Sequence, residues 1–367
     1  MVLDNPFISD MRVNKEASSL VDAGFKVTIV CTKQIGLSDS VEIDGINVKR
    51  SLDNRIMHPL RWGFSSYVKE AAAEILKLQP TVVHCHDFYT LEFGACVKKI
   101  DPEVHLTYDS HEYFRKWLVY QDISGWLNRL KGYLVWRSLV RREAKNIQKC
   151  NTVISAGEDV GLSLRDDHNL TLHPINIRNI SDINPDPSYT ETIRSLLAIP
   201  DDHLIMVQSG NMYQSDKEIH QMVAEALEVK NLHFVFIGNR PRHYEVRAQI
   251  SERGLGERVH FIDFNEKHLY NLLASADMGM LFMKTDKWVS HYFASSNRIM
   301  EYSRVGIPFL SVAQANSKRL DDAFHSVEFF DVKITGSFNE AIERMISNLE
   351  LRTEGARRIA PTLSWKN

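Results

Sequence analysis

Short apolar runs, rich in β-branched residues and each about one strand long, alternate with longer stretches of helical periodicity along the whole 367-residue chain. The strand-like runs of the first half are 26–31, 46–50, 81–86, 104–109 and 152–155; those of the second are 204–209, 233–238, 259–262, 278–282 and 307–312. Several contain almost no polar residue, as LIMVQ (204–208) and FVFIG (234–238) show. A strand reads this way when both of its faces are buried, so the pattern predicts parallel sheets covered by helices. Helical periodicity fills the gaps at 13–23, 65–77, 126–145, 217–228, 244–253, 267–276, 297–305 and 338–349. The fold class is therefore α/β, doubly wound.

The strand–helix series restarts near residue 200. The polar stretch NISDINPDPSYTE (179–191), with Pro185 and Pro187, reads as a linker. The expected organisation is a Rossmann-like domain over 1–180, a linker over 181–200 and a second Rossmann-like domain over 201–367. The length agrees, at on the order of 100–200 residues per domain. The first strand is expected to be short, because only Val2 and Leu3 precede a polar loop.

Hydrophobic residues make up 44%, charged residues 25%, and the net charge is −3. These values suit a soluble globular protein and exclude nucleic-acid binding by bulk electrostatics. The four cysteines, Cys31, Cys85, Cys96 and Cys150, form no CxxC pair, and two lie in strand-like runs, so neither a zinc site nor a disulfide framework is expected. No signal-peptide pattern is visible, and no window reaches the roughly 18 apolar residues of a membrane span. A cytoplasmic location is expected.

Ligands of doubly wound sheets bind at the carboxyl ends of strands. After the third strand comes His84-Cys85-His86-Asp87. It reads as a metal pair, a hydrogen-bonding corner or a wall of the site, and no third ligand stands at a standard spacing. After the fourth comes Asp109-Ser110-His111-Glu112, where a histidine beside carboxylates is either oriented for chemistry or part of a helix-capping network. In the second half, SGNMYQSDKE (209–218) offers Gly210 for a sharp turn and Lys217 near a helix start, a diphosphate site. Gly238 ends the next strand, either as a ligand contact or as a plain turn. Neither GxGxxG nor GxxxxGK[ST] occurs, which weakens a dinucleotide reading and removes a P-loop. The most informative segment is FASSNRIMEYSRVGIPFLS (293–311). Ser295 or Ser296 caps a helix, Asn297 and Glu301 share one face, and Arg298 lies beside a helix N-terminus suited to a diphosphate, while Glu301 can accept two ribose hydroxyls.

These segments resemble, in order and over nearly the whole chain, the family 4 glycosyltransferases of the GT-B fold. DMRVNKEASSLVDAGFKVTIV (10–30), VVHCHD (82–87), YDSHE (108–112), VISAGE (153–158), SGNMYQSDKE, ADMGMLF (276–282), SSNRIMEYSRVGIP (295–308) and LSW (363–365) carry the resemblance. It implies two Rossmann-like domains facing a cleft and a sugar transfer from a UDP- or GDP-sugar to a glycan or lipid-linked acceptor in polysaccharide biosynthesis. Configuration would be retained, with no metal and no cofactor beyond the donor. Residue by residue, His111, Lys217 and Glu301 match the reaction centre, the diphosphate lysine and the ribose glutamate. Gly210, Asn211, Gly238, Ser296, Asn297 and Arg298 complete the donor side. Arg12, His86, Asp87, His111 and Glu112 form the acceptor side.

The chain departs from the pattern at Phe293, where a second glutamate is common, and at Asn211, where an arginine is common. It ends two residues past Trp365, so the family's returning C-terminal helix is expected to be missing. A degenerate, non-catalytic GT-B scaffold and a sugar-nucleotide epimerase are the alternatives.

Residues 115–149 hold nine basic residues against Asp122 and Glu143, interleaved with Trp117, Tyr120, Trp126, Tyr133 and Trp136. Such a segment is either a peripheral membrane surface at the inner face of a membrane or a solvated helix face with its aromatics in the core. No nucleic-acid motif accompanies it.

Overall fold

The computed structural model describes residues 1–8, 10–53, 64–116, 124–180, 184–285, 289–363 and 365. The chain forms two compact units, Met1–Arg178 and Asn179–Asn367.

The first unit holds strands β1 (Thr28–Thr32), β2 (Ser40–Ile43), β3 (Ile46–Leu52), β4 (Val82–His86), β5 (His105–Ser110), β6 (Thr152–Ser155) and β7 (Ile175–Asn176). Its helices are α1 (Met11–Asp22), α2 (Phe64–Leu76), α3 (Asp87–Ile100), α4 (Trp126–Ile147) and α5 (Glu158–His168). Two ladders, β1-β3-β2 and β4-β5-β6-β7, are joined by the chain start. Val2 bridges in parallel to Val30 on one side and Cys85 on the other. Its N–H reaches the His84 carbonyl at 2.8 Å, and the His86 N–H reaches the Val2 carbonyl at 3.1 Å. Three residues thus form the central strand of one sheet. From this centre the chain winds first to β1 and β3, then back to β4, β5 and β6. The order reverses beside β4, which places His86 and Asp87 where such sheets bind ligands.

The second unit is a six-stranded parallel sheet of order β10-β9-β8-β11-β12-β13. Its strands are β8 (Leu204–Ser209), β9 (Leu232–Ile237), β10 (Val259–Ile262), β11 (Met278–Leu281), β12 (Phe309–Val312) and β13 (Val327–Phe330). The helices are α6 (Ile193–Leu197), α7 (Asp216–Leu227), α8 (Pro241–Glu252), α9 (Leu269–Ala274), α10 (Val289–Phe293), α11 (Asn297–Val305), α12 (Ala315–Phe324), α13 (Ser337–Ser347) and α14 (Leu349–Ile359). Every residue of β9 is buried, His233 included, as a strand apolar at its five other positions requires. The order reverses between β8 and β11, so the ligand position of this sheet lies at the end of β8.

Residues 184–200, expected as linker, pack on the second unit. The Asp186 N–H donates to Asn271 Oδ1 at 2.9 Å and the Ile193 N–H to Ser275 Oγ at 3.0 Å. Ile193 is fully buried, and Thr192 and Ser195 cap α6 reciprocally. Residues 181–183 lie outside the described residues.

Candidate functional site

In the second unit the site is built around α11. Its start, after Ser296, carries no side-chain cap. Tyr302 pins the helix to the sheet: its hydroxyl donates to the carbonyls of Val207 at 3.2 Å and Met280 at 3.1 Å, and the Ser209 N–H reaches the same oxygen at 3.3 Å. One residue earlier, Glu301 therefore points at the end of β8, where Oε2 accepts the Ser209 hydroxyl at 3.1 Å. Burial raises the Glu301 pKa, and Arg298 and Ser209 pull against that rise.

Arg298 is buried, and its Nη1 has no hydrogen-bond partner among the described residues. Its guanidinium carbon stands 5.6 Å from the Tyr213 ring centroid. Beyond Ser209 the chain turns at Gly210, whose φ of 72° is left-handed, a conformation glycine adopts without strain. A β-carbon there would come within 3.9 Å of Arg298 Nε. Gly210, Arg298 and Glu301 thus converge at the switch point.

The remaining donor-side residues are placed differently. Lys217 is exposed on the first turn of α7. That turn is closed by its own capping box, in which Ser215 and Glu218 satisfy each other's backbone, so its amides are less free than the sequence suggests. Asn211 is exposed. Asn297 is also exposed and accepts from Asn179 Nδ2 at 3.2 Å. Gly238 is explained from inside: a β-carbon on it would lie 1.9 Å from His243 Nε2. The space the missing side chain leaves is filled by that buried ring, and both its nitrogens lack a hydrogen-bond partner among the described residues.

In the first unit, a polar cluster is buried at the ends of β4 and β5. Arg12 of α1 closes on Asp109 with Nε at 3.1 Å and Nη2 at 2.9 Å, donates Nη1 to the Ile177 carbonyl, and reaches Glu16 at 3.1 Å. Its donors are thus committed inside the unit, not held out toward an acceptor. The rings of His84 and His86 stack at 4.3 Å. His86 Nδ1 and His111 Nε2 lie 3.4 and 3.3 Å from the same Asp109 Oδ2. Asp109 is held well below the usual carboxylate range: burial would raise it, and the His111, His84 and His86 rings gathered around it outweigh burial. Burial lowers His86. For His111, burial is outweighed by Asp87 and Asp109, which lift it to about 10. Burial pushes Asp87 up to about 7 against the pull of His111. Glu112 is exposed; its carbonyl accepts from Ser110 Oγ at 2.8 Å, and its carboxyl is raised by burial against the pull of His111.

Glu16, His84, His86 and Asp109 each bring one ligand atom within 4.8 Å of the others, a set able to surround a cation. The histidine pair thus gains two carboxylates from distant segments, which spacing along the chain did not reveal. The guanidinium of Arg12 supplies positive charge to both carboxylates, and burial and then Asp109 push Glu16 up to about 8 against the pull of Arg12.

Sequence reasoning named Asp109 only as a carboxylate beside His111, and missed Glu16, Ser209, Tyr302 and His243 as parts of these corners. Of the missed residues Glu16 carried a signal, four residues after Arg12 on one helix face.

Helix α4 carries the basic segment. Trp126 is 74% exposed, and Leu127, Leu130 and Leu134 are also exposed. Residues 126, 130 and 134 recur every four positions with 127 beside them, so they form one stripe. Arg129, Lys131, Arg137 and Arg141 are exposed around it. Glu143 turns inward to accept the Tyr108 hydroxyl at 2.7 Å. Trp126 is therefore not a core residue; Tyr133 and Trp136 are half-buried. Trp117, Tyr120 and Asp122 lie outside the described residues.

Residues 12–177 match the family model described as Glycosyltransferase Family 4. No curated protein matches the sequence. Among solved structures, sucrose-phosphate synthase from Thermosynechococcus elongatus aligns with a TM-score of 0.73 and 14% identity over 100% of this chain and 94% of that one. HepE from Anabaena, in complex with UDP and glucose, gives 0.68 and 14% over 98% and 93%. WaaG, a glycosyltransferase involved in lipopolysaccharide biosynthesis, gives 0.63 and 16% over 99% and 95%. At such identities the alignments establish the fold, which is GT-B.

Proposed function

We propose that this chain, whose residues 12–177 match the glycosyltransferase family 4 domain, moves a sugar from a nucleoside-diphosphate donor to a hydroxyl of a glycan or lipid-linked acceptor. One observation carries the reading. Arg298 is a buried cation with an unpartnered Nη1, beside the Gly210 turn and the uncapped start of α11. A buried guanidinium nitrogen left without an acceptor is costly unless one arrives to meet it. A diphosphate supplies that anion, and Glu301 one turn along offers its carboxylate to the ribose hydroxyls. The solved complex of HepE with UDP supports a nucleotide in this fold.

In the reaction the acceptor hydroxyl oxygen bonds to the anomeric carbon as the bond from that carbon to the donor diphosphate oxygen breaks; negative charge gathers on the departing diphosphate, which takes up the hydroxyl proton. Arg298, the α11 amides and Lys217 are the groups that offset it, as fixed dipoles and charges prepared before the step. No metal or cofactor is required in this scheme, and retention of configuration follows the family resemblance. The exposed stripe of α4 with its surrounding cations suits contact with an anionic membrane surface, where lipid-linked acceptors of polysaccharide assembly reside.

Thermal stabilisation by a panel of nucleoside diphosphates and nucleotide sugars, with EDTA present, tests the proposal. One diphosphate is expected to raise the melting temperature and so name the base. The absence of any shift on folded protein would overturn the donor site and favour a degenerate scaffold.

A further inference from the structure

The polar corner of the first unit gathers buried atoms that the fold leaves without hydrogen bonds. Both carboxylate oxygens of Glu16, Nε2 of His84 and Nε2 of His86 have no hydrogen-bond partner among the described residues. Glu16 is 6%, His86 2% and Asp109 0% exposed, so bulk water does not reach them. Unsatisfied polar atoms are rare in folded interiors, and several in one place call for a common partner. Arg12 answers part of that need, with Nε 3.1 Å from Glu16 Oε1 and Nη2 2.9 Å from Asp109 Oδ1. These contacts go to oxygens and leave the two Nε2 atoms unmet.

The same four residues converge. His84 Nε2 stands 3.7 Å from Glu16 Oε2 and 3.8 Å from Asp109 Oδ2, and His86 Nδ1 stands 3.4 Å from Asp109 Oδ2. One ligand atom from each residue lies within 4.8 Å of the others. Ligands at roughly 2.0–2.1 Å from a tetrahedral zinc stand about 3.3–3.4 Å apart. The nearest pairs are already close to that spacing, and the rest must draw in by no more than about 1.4 Å, within reach of side-chain rotation.

We propose that Glu16, His84, His86 and Asp109 form a binding site for a divalent cation of the zinc class, which clips α1 to β4 and β5 inside the first unit. The donor atoms set the class. Two imidazoles beside two carboxylates suit zinc, whereas magnesium and calcium take oxygen ligands. Four protein ligands complete a tetrahedral shell and leave no open position for a substrate, so the ion is structural. Arg12 is the outer partner that orients both ligating carboxylates. The strand ends held in this way lead directly into Asp87 and His111. The transfer scheme draws on groups of the second unit and stands beside this ion without using it.

The test is a metal count on tag-free protein, dialysed first against zinc and then against metal-free buffer, and read by inductively coupled plasma mass spectrometry. A single zinc per chain is expected. Stripping it with a strong chelator should lower the melting temperature, and zinc should restore it where magnesium does not. Cobalt in place of zinc should show the intense visible bands of a four-coordinate ion. Glu16→Gln keeps the size of the side chain and should weaken zinc binding by about tenfold or more, and His84→Ala added to it should abolish binding. If the double variant fails to fold, the wild-type count and the cobalt spectrum decide alone. A wild type that retains no zinc, or cobalt bands of an octahedral ion, would overturn the proposal. So would zinc held at wild-type affinity by the folded double variant, because the ion would then lie elsewhere.

Discussion

Ser209, the last residue of β8, donates its hydroxyl to Glu301 Oε2 of α11 at 3.1 Å across 92 residues of sequence. The bond fixes one carboxylate oxygen at the strand end, and a half-buried carboxylate held this way is prepared to accept further hydroxyl donors. Glu301→Ala is expected to weaken nucleoside-diphosphate binding by about 1–3 kcal/mol, the range for a lost charged hydrogen bond. Isothermal titration calorimetry measures it; wild-type affinity in the variant would remove Glu301 from the ribose role.

Arg298→Met separates binding from folding. Methionine fills much of the same volume without a charge and removes a buried guanidinium nitrogen that has no hydrogen-bond partner among the described residues, which offsets the loss of positive charge beside Glu301, so the variant should stay folded with a stability close to the wild type. Diphosphate affinity should fall roughly 10- to 100-fold, as for a lost charged hydrogen bond. A variant that melts early yet binds normally would make Arg298 a structural residue.

The alternation of apolar runs with helical stretches carried the fold, and β8, β10 and α11 fall at the expected residues. Helix α3 was not anticipated, because DFYTLEFGACVKKI is buried around much of its circumference and shows little one-sided periodicity. Strand β2 escaped for the opposite reason: all four of its residues are exposed at a sheet edge, so no apolar run marks it. His111 directly follows β5 and Arg298 lies in the first turn of α11, positions that a sequence alone marks as candidates, and Glu301 stands one turn further along the same helix. The Arg12–Asp109 pair joins residues 97 apart, and only the folded chain brings them together. Gly238 was read as a possible ligand contact, yet His243 five residues on occupies the space beside it.

That last contact is testable. Gly238→Ala drives a β-carbon into the His243 ring, at 1.9 Å from Nε2, and a flat buried ring has little room to yield. The expected cost is about 1–3 kcal/mol of stability, typical of overpacking. Adding His243→Ala should recover part of it, and the coupling in a double-mutant cycle reads the clash itself. Additive effects would show that the two positions do not meet.

The α4 stripe leads to a vesicle experiment. Sedimentation with phosphatidylglycerol vesicles should carry the protein down, and vesicles of neutral phosphatidylcholine should carry much less. Trp126→Ser with Leu130→Ser should abolish sedimentation while leaving the melting temperature within about 1 kcal/mol equivalent, since exposed side chains contribute little to folding. Equal binding to both vesicle types would set aside the electrostatic part of the reading, and no binding to either would set aside the membrane reading itself.

A second histidine cluster sets an acid limit on stability. His203 Nδ1 meets His233 Nε2 at 2.9 Å, and His233 Nδ1 meets His260 Nε2 at 2.9 Å, a ladder across the start of the second sheet. Burial first, then His260 and His203, lower His233 to about 4. An unfolded histidine titrates near 6.5, so below that value the unfolded chain takes up a proton that the folded chain refuses. The stabilising contribution is complete above pH 6.5 and is lost as pH falls toward 4. Melting temperatures at pH 7.5, 5.5 and 4.5 should therefore drop more steeply for the wild type than for His233→Gln, which cannot be protonated. Parallel curves would show that the ladder does not govern the acid response, and would shift attention to His291, which burial also lowers to about 4.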